Sequence, residues 1–358
     1  MSSSAHNEAR RQLQICNACR YCEGYCAAFH SITQLRTFDD NTITHIANLC
    51  HNCRGCFYAC QYTDPHEFAL NVPRVLSEVR SHTGMEYSWP KSIARLFHRF
   101  PKNMAYIMIV SLAAILLIMI GLPPTTGKGF YAIMSHNVML TIFLPAFLIP
   151  LMGFTVGLRR YWRDIGGRSI RISHLSEGLR QAATLENLSG GHGDGCNFER
   201  HERFTHQRRY AHHAIACGFL LCLASTLSGT ILHYVFNQPA PYPVFSLPKT
   251  LGIPGGLLIV IGCLWMHGLK KRAHPELSES SHAKADDVFL WLLGLVALRG
   301  LLLFGLGHTI LMPTLLALHL ASVLTFFLLI PYSKMTHAFF RLLTLVKHAQ
   351  GKSILNKN

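Results

Sequence analysis

The sequence predicts an all-α chain in two parts. A polar helical domain spans residues 1–103, and a six-helix transmembrane bundle spans 104–340, with a short tail over 341–358. Three observations predict this. Residues 1–103 hold eight of the twelve cysteines and no long apolar run. From Met104 onward, apolar runs alternate with short polar connectors, and six runs approach or exceed the ~20 residues that a helix needs to cross a bilayer. The eight N-terminal cysteines fall in two runs of one spacing, CNACRYCEGYC at 16–26 and CHNCRGCFYAC at 50–60. The composition shift near Trp89–Asn103 sets the boundary.

The six runs are 104–122, 137–158, 211–233, 250–268, 288–311 and 313–331. The last two are separated only by Met312-Pro313. Proline starts helices better than it continues them, so a tight turn fits there, with one long broken helix as the competing reading. The formal charge is +15. A nucleic-acid partner is not expected, because the excess follows the membrane connectors. Residues 159–209 carry ten Arg, 269–287 carry Lys270, Lys271, Arg272 and Lys284, and five basic residues follow Pro331. The opposite connectors, 123–136 and 234–249, carry only Lys128 and Lys249. Positive charge stays inside, which puts both termini and the 159–209 loop in the cytoplasm. The first 100 residues lack the apolar core of a signal peptide, in keeping with a cytoplasmic N-terminal domain.

A C-x2-C-x2-C-x3-C run is an iron–sulphur spacing. The close triplet ligates three irons of one cubane, and the fourth cysteine points away toward a neighbouring cluster. Two runs therefore predict two [4Fe–4S] clusters with crossed ligation. Cys16, Cys19, Cys22 and Cys60 serve one, and Cys50, Cys53, Cys56 and Cys26 the other. Zinc favours well-separated C-x2-C pairs, and disulfides do not suit the cytoplasm. The proline that usually follows the fourth cysteine is replaced by Ala27 and Gln61. Helix formers around the runs, and an apolar stripe over Phe68–Ser81, predict a helical two-cluster ferredoxin-like domain rather than the small β-rich ferredoxin. Cys217, Cys222 and Cys263 lie in apolar spans and are expected to be core. Cys196 sits near His192, His201 and His206. That stretch reads as a mobile Gly- and His-rich loop, with a metal site as the sharper alternative.

Histidine inside an apolar span is costly and often functional, and facing pairs are the axial ligands of b-type haem. The third span, YAHHAIACGFLLCLASTLSGTILHY, has His212 and His213 at its inner end and His233 at its outer end, about 30 Å apart. The sixth stretch, HLASVLTFFLLIPYSKMTH, has His319 outside and His337 inside. At about 100° per residue these two share one face of a continuous helix. The spans are antiparallel. His233 is therefore expected to meet His319, and His212 or His213 to meet His337, giving one or two haem b sites. On an ideal helix His212 lies about 60° from His233 and His213 about 160°, so both stay in play. Arg299 lies mid-span in the fifth run and should face the bundle interior, toward a haem propionate, a quinone or a structural partner. His267 and His308 read as interfacial.

HLASVLTFFLLIPYSKMTH resembles the last haem-bearing helix of the nitrate reductase γ-subunit cytochrome b family. Taken end to end, the chain resembles the tricarballylate/citrate utilisation protein B family. That likeness rests on the double cysteine run, the six spans, RRYAHHAIACGFLLCLASTLSGTILHY and the following NQPAPYPVFSLPKTLGIPGG. The resemblance implies a multi-pass protein of the bacterial inner membrane. It implies that the protein reoxidises the FADH2 of a separate FAD-dependent tricarballylate dehydrogenase and passes electrons to membrane quinone. The chain has no G-x-G-x-x-G flavin site of its own, so its standing as an enzyme is a matter of definition: it would be the electron-transfer subunit of an oxidoreductase. The alternatives are a subunit serving another flavoprotein or a heterodisulfide-type oxidoreductase, and a membrane redox sensor or transporter accessory. A sensor needs an output module, and a transporter needs intramembrane carboxylates; no Asp or Glu lies in any of the six runs.

Overall fold

A computed structural model of the chain describes residues 4–99, 103–121, 127, 129–188, 196–197, 204–272, 275–277 and 280–355. The regular secondary structure of the described residues is helical, apart from a two-residue antiparallel ladder, β1 (Cys196–Asn197) on β2 (Phe204–Thr205).

The N-terminal domain is built from α1 (Ser4–Cys19), α2 (Ala27–Thr33), α3 (Asp40–Leu49), α4 (Gly55–Tyr58) and α5 (Val72–Tyr87). Its core gathers Leu13, Ile32, Ile43, Ile46, Leu49 and Leu76, all essentially inaccessible. Asp39 caps α3 by accepting from the Thr42 amide at 2.9 Å. Helix α5 starts four residues later than the apolar stripe predicts. Asn71 caps it by accepting from the Arg74 amide, and Pro73 occupies its first turn. Val72, Val75, Leu76 and Val79 then recur at helical spacing and are buried.

Among the described residues, five helices are long and apolar enough to cross a membrane: His136–Asp164, Gln207–Tyr234, Leu247–Arg272, Asp286–Leu306 and Met312–Tyr332. Ala105–Gly121 is a shorter apolar helix. They belong to α8 (His136–Asp164), α10 (Gln207–Tyr234), α11 (Leu247–Arg272), α12 (Ser280–Leu306), α13 (Met312–Leu329) and α7 (Asn103–Gly121). The chain is a membrane protein. Between α12 and α13 there is a turn: Pro313 lies in the first turn of α13, as its fixed φ favours. Helices α10 and α11 pack closely where Gly218 of one meets Gly255 of the other. A Cβ on Gly218 would lie 2.6 Å from the Gly255 carbonyl oxygen.

The expected single helix from His319 to His337 is not what the structure shows. Helix α13 ends at Leu329, two short 3-10 turns occupy Ile330–Tyr332 and Lys334–Thr336, and α14 (His337–Leu355) begins at His337. Pro331 removes an amide donor and breaks the register, so the shared-face argument for His319 and His337 fails at that point. Helix α14 folds back onto the N-terminal domain, where Leu345 completes the core.

In the long connector, α8 runs on to Asp164 and α9 (Ile172–Thr184) packs along α14. The Gly- and His-rich stretch with His192 and His201 lies outside the described residues. So does the Cys196 side chain. His206 caps α10. The short α6 (Lys91–Arg99) links α5 to the membrane part.

Candidate functional site

The two cysteine runs fold as related turns. In each, the residue after the second cysteine takes a left-handed conformation, Arg20 at φ 56° and Arg54 at φ 71°. Asn52 does the same at 58°. These turns curl the backbone around the thiols. Cys16 and Cys19 close α1, Cys50 ends α3, Cys26 opens α2, and Cys56 rides on α4.

Around them lie two adjoining cavities. Cys16, Cys19, Cys22 and Cys60 border one of about 240 Å³. Cys26, Cys50 and Cys53 border a smaller one of about 20 Å³. Cys56, Phe29 and Val72 line both and form the partition. The first cavity lies beneath exposed Tyr21 and Cys19, and the second lies deeper, beside His51 and Arg54. Among the described residues no three His, Cys, Asp or Glu side chains converge on a single ion position. One tetrahedral zinc would draw sulphurs to within about 3.8 Å of each other. Thiols spread around a cavity suit a polynuclear iron–sulphur core instead. The larger cavity has room for one, whereas the smaller needs its thiols to move outward.

Amides of Asn52 and Tyr62 point at the Cys50 and Cys60 sulphurs at 3.4 Å, the contacts that stabilise ligating thiolate. Burial, with Cys60 next, pushes the Cys16 and Cys22 thiols up to about 12. Burial, then Cys53, raises Cys26 and Cys56 as well. Without metal these thiols hold their protons, so loading the site must expel them. The missing proline after Cys26 also has a structural reason. The Ala27 amide donates to Asn187 Oδ1 at 2.9 Å, which proline could not do.

At the membrane end of the second set, the His212 and His337 rings face each other, centroids 6.1 Å apart and nearly perpendicular. Of the two inner candidates, His212 is the one facing His337; His213 Nε2 bonds instead to the Ala183 carbonyl at 2.8 Å. His337 Nδ1 is held by the Lys334 carbonyl, which makes Nε2 the ring nitrogen that a metal could take. Burial, then Arg341, lowers the His337 pKa well below the usual value and favours the neutral ring. Arg341, one turn further along α14, donates to the Cys50 carbonyl at 2.8 Å and so joins the histidine pair to the second cysteine set.

The outer pair does not form. His233 stacks on His136, centroids 4.2 Å apart, while His319 lies against Gly300 of α12. Helices α10 and α13 approach at Phe219 and Phe326 but have different neighbours at their outer ends. His136, which the sequence reading left in a connector, is held by Tyr131 and Tyr234 hydroxyls at 3.2 and 2.8 Å. Its only sequence signal was its place at a helix start level with His233. Arg299 reaches Met108 Sδ and the Leu318 carbonyl, both at 3.4 Å, within the bundle.

The family model described as Citrate utilization protein B matches residues 99–356. That described as Citrate utilization protein B Fer4-like domain matches residues 9–85. The chain belongs to the citrate utilization protein B family. It is 40% identical over 354 residues to the Escherichia coli Citrate utilization protein B, covering 96% of this chain and 92% of that protein. No solved structure matches. Membership makes the cysteine domain an iron–sulphur domain of the Fer4-like kind, joined to a membrane part.

Proposed function

We propose that the chain is a membrane electron-transfer protein. It takes electrons from the reduced FAD of a partner tricarballylate dehydrogenase and passes them to the quinone pool of a bacterial inner membrane. The substrate class rests on family membership and on the name of the Escherichia coli relative. Cys16, Cys19, Cys22 and Cys60 would hold one [4Fe–4S] cluster, Cys26, Cys50, Cys53 and Cys56 a second, and His212 and His337 one haem b. Bound there, these groups supply the one-electron carriage that no side chain of the chain can.

The chain's own residues supply position and surroundings. The first cysteine set lies under the solvent-facing surface around Tyr21, where a soluble partner can approach. The second set lies deeper and is joined to the histidine pair through Arg341, which donates to the Cys50 carbonyl. Helix α14 holds that junction together, because it carries both His337 and Arg341. The observation that carries the proposal is this continuity from exposed thiols to buried thiols to membrane histidines. The basic connectors put both termini on the cytoplasmic side, with Ala105–Gly121 as a sixth span. A single haem is proposed, since His233 and His319 lie apart.

The test is a reduced-minus-oxidised optical spectrum of the detergent-purified chain, with non-haem iron, acid-labile sulphide and haem assays on the same sample. About eight irons, about eight sulphides and about one b haem per chain are expected. Clusters without haem would sink the histidine half of the proposal. An absence of sulphide would sink all of it.

A further inference from the structure

Three arginines from three separate helices converge on the end of α3. Arg80 of α5 donates to the carbonyls of Ala47 and Cys50 at 2.8 and 3.1 Å. Arg341 of α14 donates to those of Asn48 and Cys50 at 3.4 and 2.8 Å. Arg208 of α10 donates to the Asn52 carbonyl at 2.6 Å. A helix C-terminus welcomes one cation, because its last carbonyls lack partners. Three exceed what capping requires. Among the described residues, neither Arg80 nor Arg341 has a carboxylate within ion-pairing distance. Cations gathered in a protein interior are costly unless an anion balances them. The segment they grip, residues 47–52, contains Cys50 and borders the second cysteine cavity. A cluster held by four thiolates is a net anion, and reduction makes it more negative.

We infer that Arg80, Arg208 and Arg341 form a cationic cradle that raises the reduction potential of the cluster held at Cys50, so that the buried cluster accepts electrons more readily than the exposed one. This rests on the proposed reading that Cys50 is a cluster ligand. Each arginine acts as a positioning and charge-supplying residue through the Cys50–Asn52 backbone. Their spread over α5, α10 and α14 makes the cradle complete only when the cysteine domain, the membrane part and the C-terminal helix are docked together.

The test is a potentiometric titration of the full-length, cluster-loaded protein followed by electron paramagnetic resonance. Wild type is compared with Arg341→Gln, Arg341→Lys and Arg80→Gln. One of the two cluster signals is expected to move to a more negative midpoint in both Gln variants, with the other signal unmoved. Arg341→Lys should keep most of the wild-type midpoint, because it keeps the charge. Unchanged midpoints in the Gln variants would overturn the inference. So would Lys and Gln variants that shift alike, or that lose cluster alike without any shift, since geometry rather than charge would then be at work. Should Arg341→Gln not accumulate, Arg80→Gln carries the same reading from another helix. No cluster signal in the wild type would refute the function proposed above and the inference with it, whereas unmoved midpoints in a cluster-loaded protein would refute the inference alone.

Discussion

Acid should loosen α14 from the cysteine domain, and His348 is the residue that makes the prediction quantitative. Its side chain is 6% exposed, and its Nδ1 lies 3.3 Å from the Ser31 hydroxyl of α2. The His30 ring meets it edge-on at 5.8 Å. Burial, then Lys352 and His30, lowers the His348 pKa from 6.5 to about 4, with Glu177 opposing. A histidine depressed in the folded state contributes stability above its unfolded pKa and loses it as pH falls through the folded value. The window here runs from about pH 6.5 down to about 4. Each pH unit inside it costs about 1.4 kcal/mol, so α14 docking loses about 2 kcal/mol by pH 5. His45, pushed down to about 3 by burial and then by His348, titrates in the same direction. The assay is hydrogen exchange of the α14 amides, corrected for intrinsic rates, in the purified protein at pH 7 and pH 5. Protection should fall by about 30-fold in the wild type. It should fall visibly less in His348→Gln, which keeps a partner for Ser31 without titrating. Equal protection at both pH values, or the same loss in His348→Gln, would refute the reasoning.

Four other outcomes follow from the geometry. Cys53→Ser should remove about half of the iron and acid-labile sulphide and leave the haem spectrum in place, measured on one sample. His337→Ala should abolish haem absorbance, whereas His233→Ala, whose ring stacks on His136 and not on His319, should retain it. Ala27→Pro should fold, because Ala27 opens α2 and Cys26 before it is already extended. It should cost about 1 kcal/mol for the lost bond to Asn187, and a double-mutant denaturation cycle with Asn187→Ala should show a coupling of about that size, beside the separate cost of the Asn187 bond to Gln181. Gly157→Ala would set a methyl 2.0 Å from the Tyr87 carbonyl oxygen, so thermal unfolding should report a loss of about 1–3 kcal/mol from the junction of α8 with α5.

The parts of this protein that were legible in its sequence are those fixed by local spacing. The cysteine runs are two short turns of one spacing, and each bends at the residue after its second cysteine. The apolar runs reflect the bilayer's thickness, and Pro313 marks a helix start wherever the rest of the bundle lies. What failed needed information from distant segments. The register from His319 to His337 assumed an unbroken helix across Pro331. Pairing His233 with His319 assumed that two antiparallel helices stay adjacent along their whole length. In fact α10 packs along α11, and its outer end meets α8 at His136.

The tail shows the same division. Phe340, Thr344, Leu345 and His348 fall on one buried stripe at helical spacing, a signal present in the sequence. Nothing local says that the stripe's partner is a cysteine domain nearly 300 residues away. That closure matters for the chemistry. His337 begins α14 and Arg341 follows one turn later, so the same helix whose apolar face completes the N-terminal core also presents a membrane histidine and a cation to the end of α3. Soluble and membrane parts are thereby fixed by one rigid element rather than by a linker. The proposed conduit would need this, because the distance between its thiols and the His212–His337 pair must not fluctuate. It also explains why the arginines grip backbone carbonyls. Carbonyl acceptors hold the position of Cys50 without introducing carboxylates that would cancel the positive charge beside it.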